Sequence, residues 1–349
     1  MTRALILALA IAAQTATGPP RVGPYESQHA SGIAPELRTV LLRDFKFTPV
    51  EIGELEHGRI IKRALGSASP GEIAVVGATR VDVPKEMLVE RFRDIVHFKS
   101  GADVLQIGRF GNPPSIDDLA ALTIDRADFD GRDCRVGDCD VRLPAASIQR
   151  FQKEINWAAP DAASRGAALF KQMIVDDVRA YLAGAPERFT QYDDDKRPIR
   201  SVDEFNGLLK NFVAISSLAP ELPGYLERFP ASPLAGGEDF LYWSKEKVAG
   251  MPFITVTHVT IARGAAGSIV IASKDVYSSR YFDSSLGITV ASDALGSPGA
   301  FYLVYANRAR AAALKGMLGG LRRALVERRA KSSLDDNLKD VKARLEKKN

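Results

Sequence analysis

His258 is the residue best placed to do chemistry. In Phe253-Ile-Thr-Val-Thr-His-Val-Thr-Ile261 the residue types favour a strand, and both alternating sets carry bulk. Ile254, Val256 and His258 share one side; Phe253, Thr255, Thr257, Val259 and Ile261 share the other. A strand of this kind is expected to be covered on both faces, which carries the imidazole into an enclosed space. There a neutral imidazole acts as a general base or meets the polar end of a ligand, or it is a core histidine satisfied by its neighbours. Tyr242, Trp243, Tyr277 and Tyr281 supply apolar rings with polar tips, the lining of a small-molecule cavity or an ordinary core and rim.

The other candidates are weaker. Cys134 and Cys139 are the only cysteines, in Cys134-Arg-Val-Gly-Asp-Cys139. In an exported chain two such thiols form a disulfide; a free or redox-active pair and a metal site are the alternatives. The four histidines, His29, His57, His97 and His258, show no ligand spacing to that pair, so no metal is expected. Asp176-Asp177 and Asp193-Asp194-Asp195 pair carboxylates, but adjacent side chains diverge on a helix or strand, and a solvated face is expected. The sequence holds neither a Gly-x-Ser-x-Gly nucleophile elbow nor a Gly-x-x-x-x-Gly-Lys-Ser/Thr phosphate loop. No cofactor is implied, and the chain reads as a binding protein before an enzyme.

The 349 residues, 46% apolar, suffice for one large or two ordinary cores. Met1-Thr2-Arg3 and the apolar stretch 4–13 have the layout of a cleaved signal peptide over about residues 1–18, which implies a periplasmic or secreted protein. No later run is long and apolar enough to cross a bilayer. The net charge of +4 does not point to nucleic acid. Its distribution is uneven, because from Arg308 onward thirteen Lys/Arg face five Asp/Glu. A basic terminal helix rests on anionic lipid, binds an acidic partner or is a solvated face.

The positioning elements follow from the pattern. Residues 19–71 read as a leader with short helices at 35–45 and 48–57, the second opened by the Thr48-Pro49-Val50-Glu51 capping box. Residues 73–83 read as a strand and 84–96 as a helix. Residues 145–235 are mainly helical, with Phe170, Ile174, Val178 and Tyr181 on one helix side and a capping signature at Ser201 to Glu204. Strands at 240–243, 253–261, 268–274, 287–291 and 301–306 then lead into one helix from about Asn307 to the end. Leu314, Leu318, Leu321 and Leu325 form a stripe expected to grip a core. Gly316, Gly319 and Gly320 lie nearly opposite, where close approach by a sheet, helix or ligand would explain them. Leu334, Leu338, Val341 and Leu345 repeat at heptad-like spacing, for docking on the protein's own surface or against a partner helix.

The strand and helix at 72–94, the closing strands and the helix from Asn307 together resemble the helix-grip fold of START and polyketide-cyclase-like lipid-binding domains. The resemblance covers about half the chain by order of elements, and it carries no functional residue over by motif. It implies an α+β fold over residues 72–349: a curved antiparallel sheet, a long C-terminal helix, and a large helical insertion at about 145–235. It also implies a hydrophobic small molecule or lipid held between sheet and helix. Tyr242, Trp243, His258, Tyr277, Tyr281, Gly316 and Gly320 are the expected cavity residues. The alternatives are a non-catalytic cell-envelope protein acting through its basic C-terminal helix, and an enzyme with His258 as acid/base.

Overall fold

Among the described residues eight strands form a single open antiparallel sheet, and helices cover both of its faces. The computed structural model describes residues 32–349 except 68, 70, 185–190, 249, 316–318 and 348–349. The expected signal segment, Gly316 and Leu318 lie outside the described residues. Ser31–Asn349 makes one compact unit. In chain order its elements are α1 (Pro35–Arg43), α2 (Pro49–Glu56), β1 (Ile61–Ala64), β2 (Glu72–Val81), α3 (Glu86–Arg93), α4 (Ile95–Phe98) and β3 (Val104–Arg109). The helical stretch follows as α5 (Ala145–Glu154), α6 (Ala162–Leu182), α7 (Ser201–Asn211), α8 (Ala214–Leu218) and α9 (Leu222–Arg228). The chain closes with β4 (Glu238–Val248), β5 (Met251–Arg263), β6 (Ile269–Ser278), β7 (Ser284–Asp293), β8 (Phe301–Arg310) and α10 (Gly319–Glu346).

The strand order is β1-β2-β8-β7-β6-β5-β4-β3, so the early strand β2 lies beside the last strand β8. Successive strands β4 to β8 pair through short turns, and Gly250, at φ +87°, supplies the left-handed residue that the β4–β5 hairpin requires. β1 and β3 are short edge strands with weak alternation, which is why the pattern of the sequence does not announce them.

One face of the sheet carries α10 and α3. Leu334, Leu338 and Leu345 of α10 pack with Val75, Leu303 and Phe301, and Gly77 leaves the space they need, since a Cβ there would stand 2.6 Å from Leu338 Cδ1. The heptad-like stripe therefore docks on the protein's own sheet. Further along this face α3 and α4 cover Phe240, Tyr242, Val259 and Ile261. On the opposite face α1, α2, α7, α8 and α9 build a core on β2, β6, β7 and β8, while α5 and α6 build a second on Leu241, Trp243, Ile254, Val256 and Tyr277. Both faces of β5 are covered, as its composition requires.

Two expectations are corrected. The terminal helix begins at Gly319, and residues from Asn307 to Arg310 continue β8. Alanine-rich sequence favours helix there, but the β2–β8 ladder and a buried carboxylate prevail. Glu72, fully buried, pairs with Arg308 (2.6 Å) and Arg310 (3.3 Å) and accepts a hydrogen bond from Asn211 in α7 (2.7 Å). Part of the C-terminal positive charge is thus spent on an internal network. Second, Leu321 and Leu325 do not grip a core: they are 75% and 52% exposed. Among smaller differences, Arg200 is the N-cap of α7, and the helix at 84–96 breaks at Asp94.

Cys134 and Cys139 form a disulfide, the state that fits an extracellular or periplasmic protein. Among the described residues no helix is long and apolar enough to cross a membrane.

Candidate functional site

The two cores on the face opposite α10 do not merge completely, and a cleft of about 680 Å³ opens at the seam. The end of α6 contributes Tyr181, α7 contributes Phe205, the exit of α9 contributes Phe229, and β6 contributes Lys274 and Tyr277. Each arrives for a local reason. Tyr181 ends the apolar side of α6, Phe205 lies on the buried side of α7, and Phe229 ends α9. Lys274 shares its face with Val270 and Ala272, so the pleat alone turns the amine toward the helices.

Lys274 is the unusual group. Its Nζ lies 4.0 Å from the Phe205 ring centroid and 5.4 Å from that of Tyr181. It donates one long hydrogen bond, 3.4 Å, to the carbonyl of Leu226. No carboxylate among the described residues pairs with it, and burial pushes its pKa down to about 8. An ammonium has three donors, and aromatic faces compensate its charge only in part. The cleft therefore offers a hydrogen-bond donor, cationic below about pH 8, within apolar walls.

His258 stands opposite Lys274 across the β5–β6 ladder and is fully buried. Its Nδ1 receives the Tyr181 hydroxyl (2.9 Å), and its Nε2 donates to Asp239 Oδ1 (2.8 Å). Asp239 also accepts from Tyr225 (2.5 Å) and Thr260 (2.7 Å). Burial lowers the imidazole's pKa despite the nearby carboxylate, so this is a neutral ring with an Nε2 proton. At Asp239 burial works against ionisation, but the bonds from His258, Tyr225 and Thr260 prevail and hold the carboxyl below its usual value. The result is a Tyr181–His258–Asp239 chain whose outer hydroxyl belongs to a cleft residue. Tyr181 titrates far above its usual range, mainly through burial, so its hydroxyl keeps its proton.

The expected cavity residues separate. His258 and Tyr277 serve this cleft or the wall behind it, and the Tyr277 hydroxyl donates to the Arg142 carbonyl (3.2 Å). Tyr242 lies on the other face, because it is one residue out of phase with Leu241, the partner of His258. There its hydroxyl accepts from Lys99 (3.2 Å), which pairs with Glu246 (2.6 Å). Trp243 is fully buried in the core under α6, its indole N–H donating to the Asp118 carbonyl (2.8 Å). Tyr281 sits in the β6–β7 connection with φ +68°, edge-on to Phe253. Gly320 faces open space. The geometry does not gather these residues between the sheet and α10.

Lys274, Asp239, Phe205 and Phe229 are the members that pattern reading passed over. A lysine in phase with Val270 and Ala272 was the available signal. Asp239 had none, since its role depends on Thr260 and His258 of the neighbouring strand and on Tyr225 of α9. Comparison with protein-family models, with curated proteins and with solved structures finds no match for this chain, so the chemistry of the cleft itself carries the functional reading.

Proposed function

We propose that the protein binds an apolar small molecule in the aromatic cleft between α6, α7, α9 and β6, with Lys274 donating a hydrogen bond to an oxygen on the ligand's head. The observation that carries the reading is the lone amine, supplied with one weak acceptor, inside apolar walls. A buried donor lacking acceptors costs free energy, and a ligand oxygen recovers it. This keeps the hydrophobic ligand expected from the helix-grip resemblance and moves it to the sheet face away from the terminal helix. The disulfide and the charged, apolar layout of the first residues support a secreted or periplasmic setting.

Val202 lines the cleft and is 37% exposed, so Val202→Trp fills the space without disturbing a core. Native mass spectrometry with decanol as probe is expected to show a 1:1 complex that Val202→Trp weakens at least tenfold. Equal decanol binding by both proteins would place the ligand elsewhere and end this reading.

A further inference from the structure

We propose that Lys274 captures an aldehyde or ketone ligand covalently, as an imine, inside this cleft. The inference rests on the cleft being the binding site and narrows the ligand's oxygen to a carbonyl. Three features of geometry support it. First, Nζ lies between the Phe205 and Tyr181 rings at 4.0 and 5.4 Å from their centroids, and no carboxylate among the described residues holds it as a cation. Other enclosed lysines differ: Lys245 pairs with Asp128 at 2.6 Å, Lys85 with Asp293 at 2.5 Å and the part-buried Lys99 with Glu246 at 2.6 Å, and an ion-paired ammonium is no nucleophile. Second, the amine opens into about 680 Å³ of space, enough for a ligand rather than a water alone. Third, the residue across the ladder is His258, a neutral imidazole held through Tyr181 and Asp239, so no fixed anion from that strand draws a proton onto Lys274.

The chemistry balances without a redox partner. Nζ attacks the carbonyl carbon, and the C–N bond forms as the π pair moves to oxygen. A proton passes from nitrogen to that oxygen. The carbinolamine then loses its C–O bond as the hydroxyl leaves with a second nitrogen proton, releasing one water. Apolar walls favour the step twice, by keeping a fraction of the amine neutral and by excluding the water that reverses it. At pH 8 a lysine with the ordinary value near 10.4 is neutral in well under about one molecule in a hundred, against about half for one whose pKa is near 8.

The full chain is incubated with decanal and cyanoborohydride at pH 8, then digested, and alkylation is measured lysine by lysine. Lys274 is expected to react at least tenfold faster than the median lysine, with its advantage shrinking as the pH approaches 10. Lys274→Met is expected to lose that fast phase and, with the donor to the alcohol oxygen gone, to bind decanol more weakly than the wild type. If decanol binds but Lys274 reacts no faster than the rest, the imine is overturned and the non-covalent reading stands. If neither decanol nor decanal enters the cleft, both fall together.

Discussion

At the scale of single residues, His258 and Lys274 show opposite solutions to burying a nitrogen base. His258 is satisfied at both ring nitrogens, by Tyr181 and Asp239, and serves as the rigid end of a hydrogen-bonded chain. Lys274 is left with spare donors and a lowered pKa, the basis of the reactivity proposed for it. The burial of neutral His258 has a consequence for stability. Its pKa is lower folded than the ordinary 6.5, so below that value the unfolded chain takes up a proton that the folded one refuses. Stability is therefore full above about pH 6.5 and falls as the pH drops, by at most about 1.4 kcal/mol per pH unit for this one group. Asp239, held below its ordinary 3.8, adds a second loss at lower pH, as it too must be protonated. Urea unfolding of His258→Gln between pH 5 and 7 is expected to show a shallower pH slope than the wild type; an unchanged slope would mean the imidazole does not titrate this way.

At the scale of elements, α10 divides in two. Its second half is a structural clamp: Leu334, Leu338 and Leu345 are nearly inaccessible, and Lys62 of β1 pairs with Asp335 (2.7 Å). Its first half exposes Leu321 and Leu325 among Arg322, Arg328, Arg329 and Lys331, so any use of this helix against an anionic surface or acidic partner belongs there. The division is measurable. Leu338→Ala is expected to cost about 2–5 kcal/mol in urea unfolding, the usual range for a buried leucine. Leu321→Ala, on the exposed side, should change stability by no more than about 0.5 kcal/mol. Similar costs for both would contradict the docking described. The same division explains what reading the sequence achieved here. The stripes were visible as spacing, but which one finds a sheet depends on where the helix starts. That start is set by Glu72 and the β2–β8 ladder rather than by helix propensity.

At the scale of the whole molecule, the cleft exists because two cores were built on one sheet face, the first by α1, α2 and α7 to α9 and the second by α5 and α6. The disulfide belongs to the second of these: Cys134 is buried in the cluster containing Phe129, Phe151 and Phe170, and its carbonyl accepts from Gln152. With a sequence separation of 5, the closed loop is short, and its stabilisation is about 2 kcal/mol. The double variant Cys134→Ser/Cys139→Ser is expected to lose about that much in urea unfolding while still binding decanol, because neither cysteine lines the cleft. A loss of binding at full folding would show that the second core positions the cleft more tightly than this.

The amino-acid sequence alone determined the class of fold, the helical stretch between early and late strands, the Thr48 capping box, the double coverage of β5 and the pairing of the cysteines. These are local matters of periodicity, capping and proximity, and a chain of this composition has few other ways to satisfy them. The site was a different matter. Tyr242 and His258 looked like neighbours in one cavity, and a one-residue difference in phase on paired strands sent them to opposite faces. Asp239 and Tyr181 meet His258 from a different strand and from a helix, and Tyr225 of a second helix holds Asp239; no spacing along the chain encodes that meeting. Lys274 became distinctive only when the tertiary structure surrounded it with rings and withheld a carboxylate, since the character of a buried charge is set by what packs around it, and only the folded chain decides that.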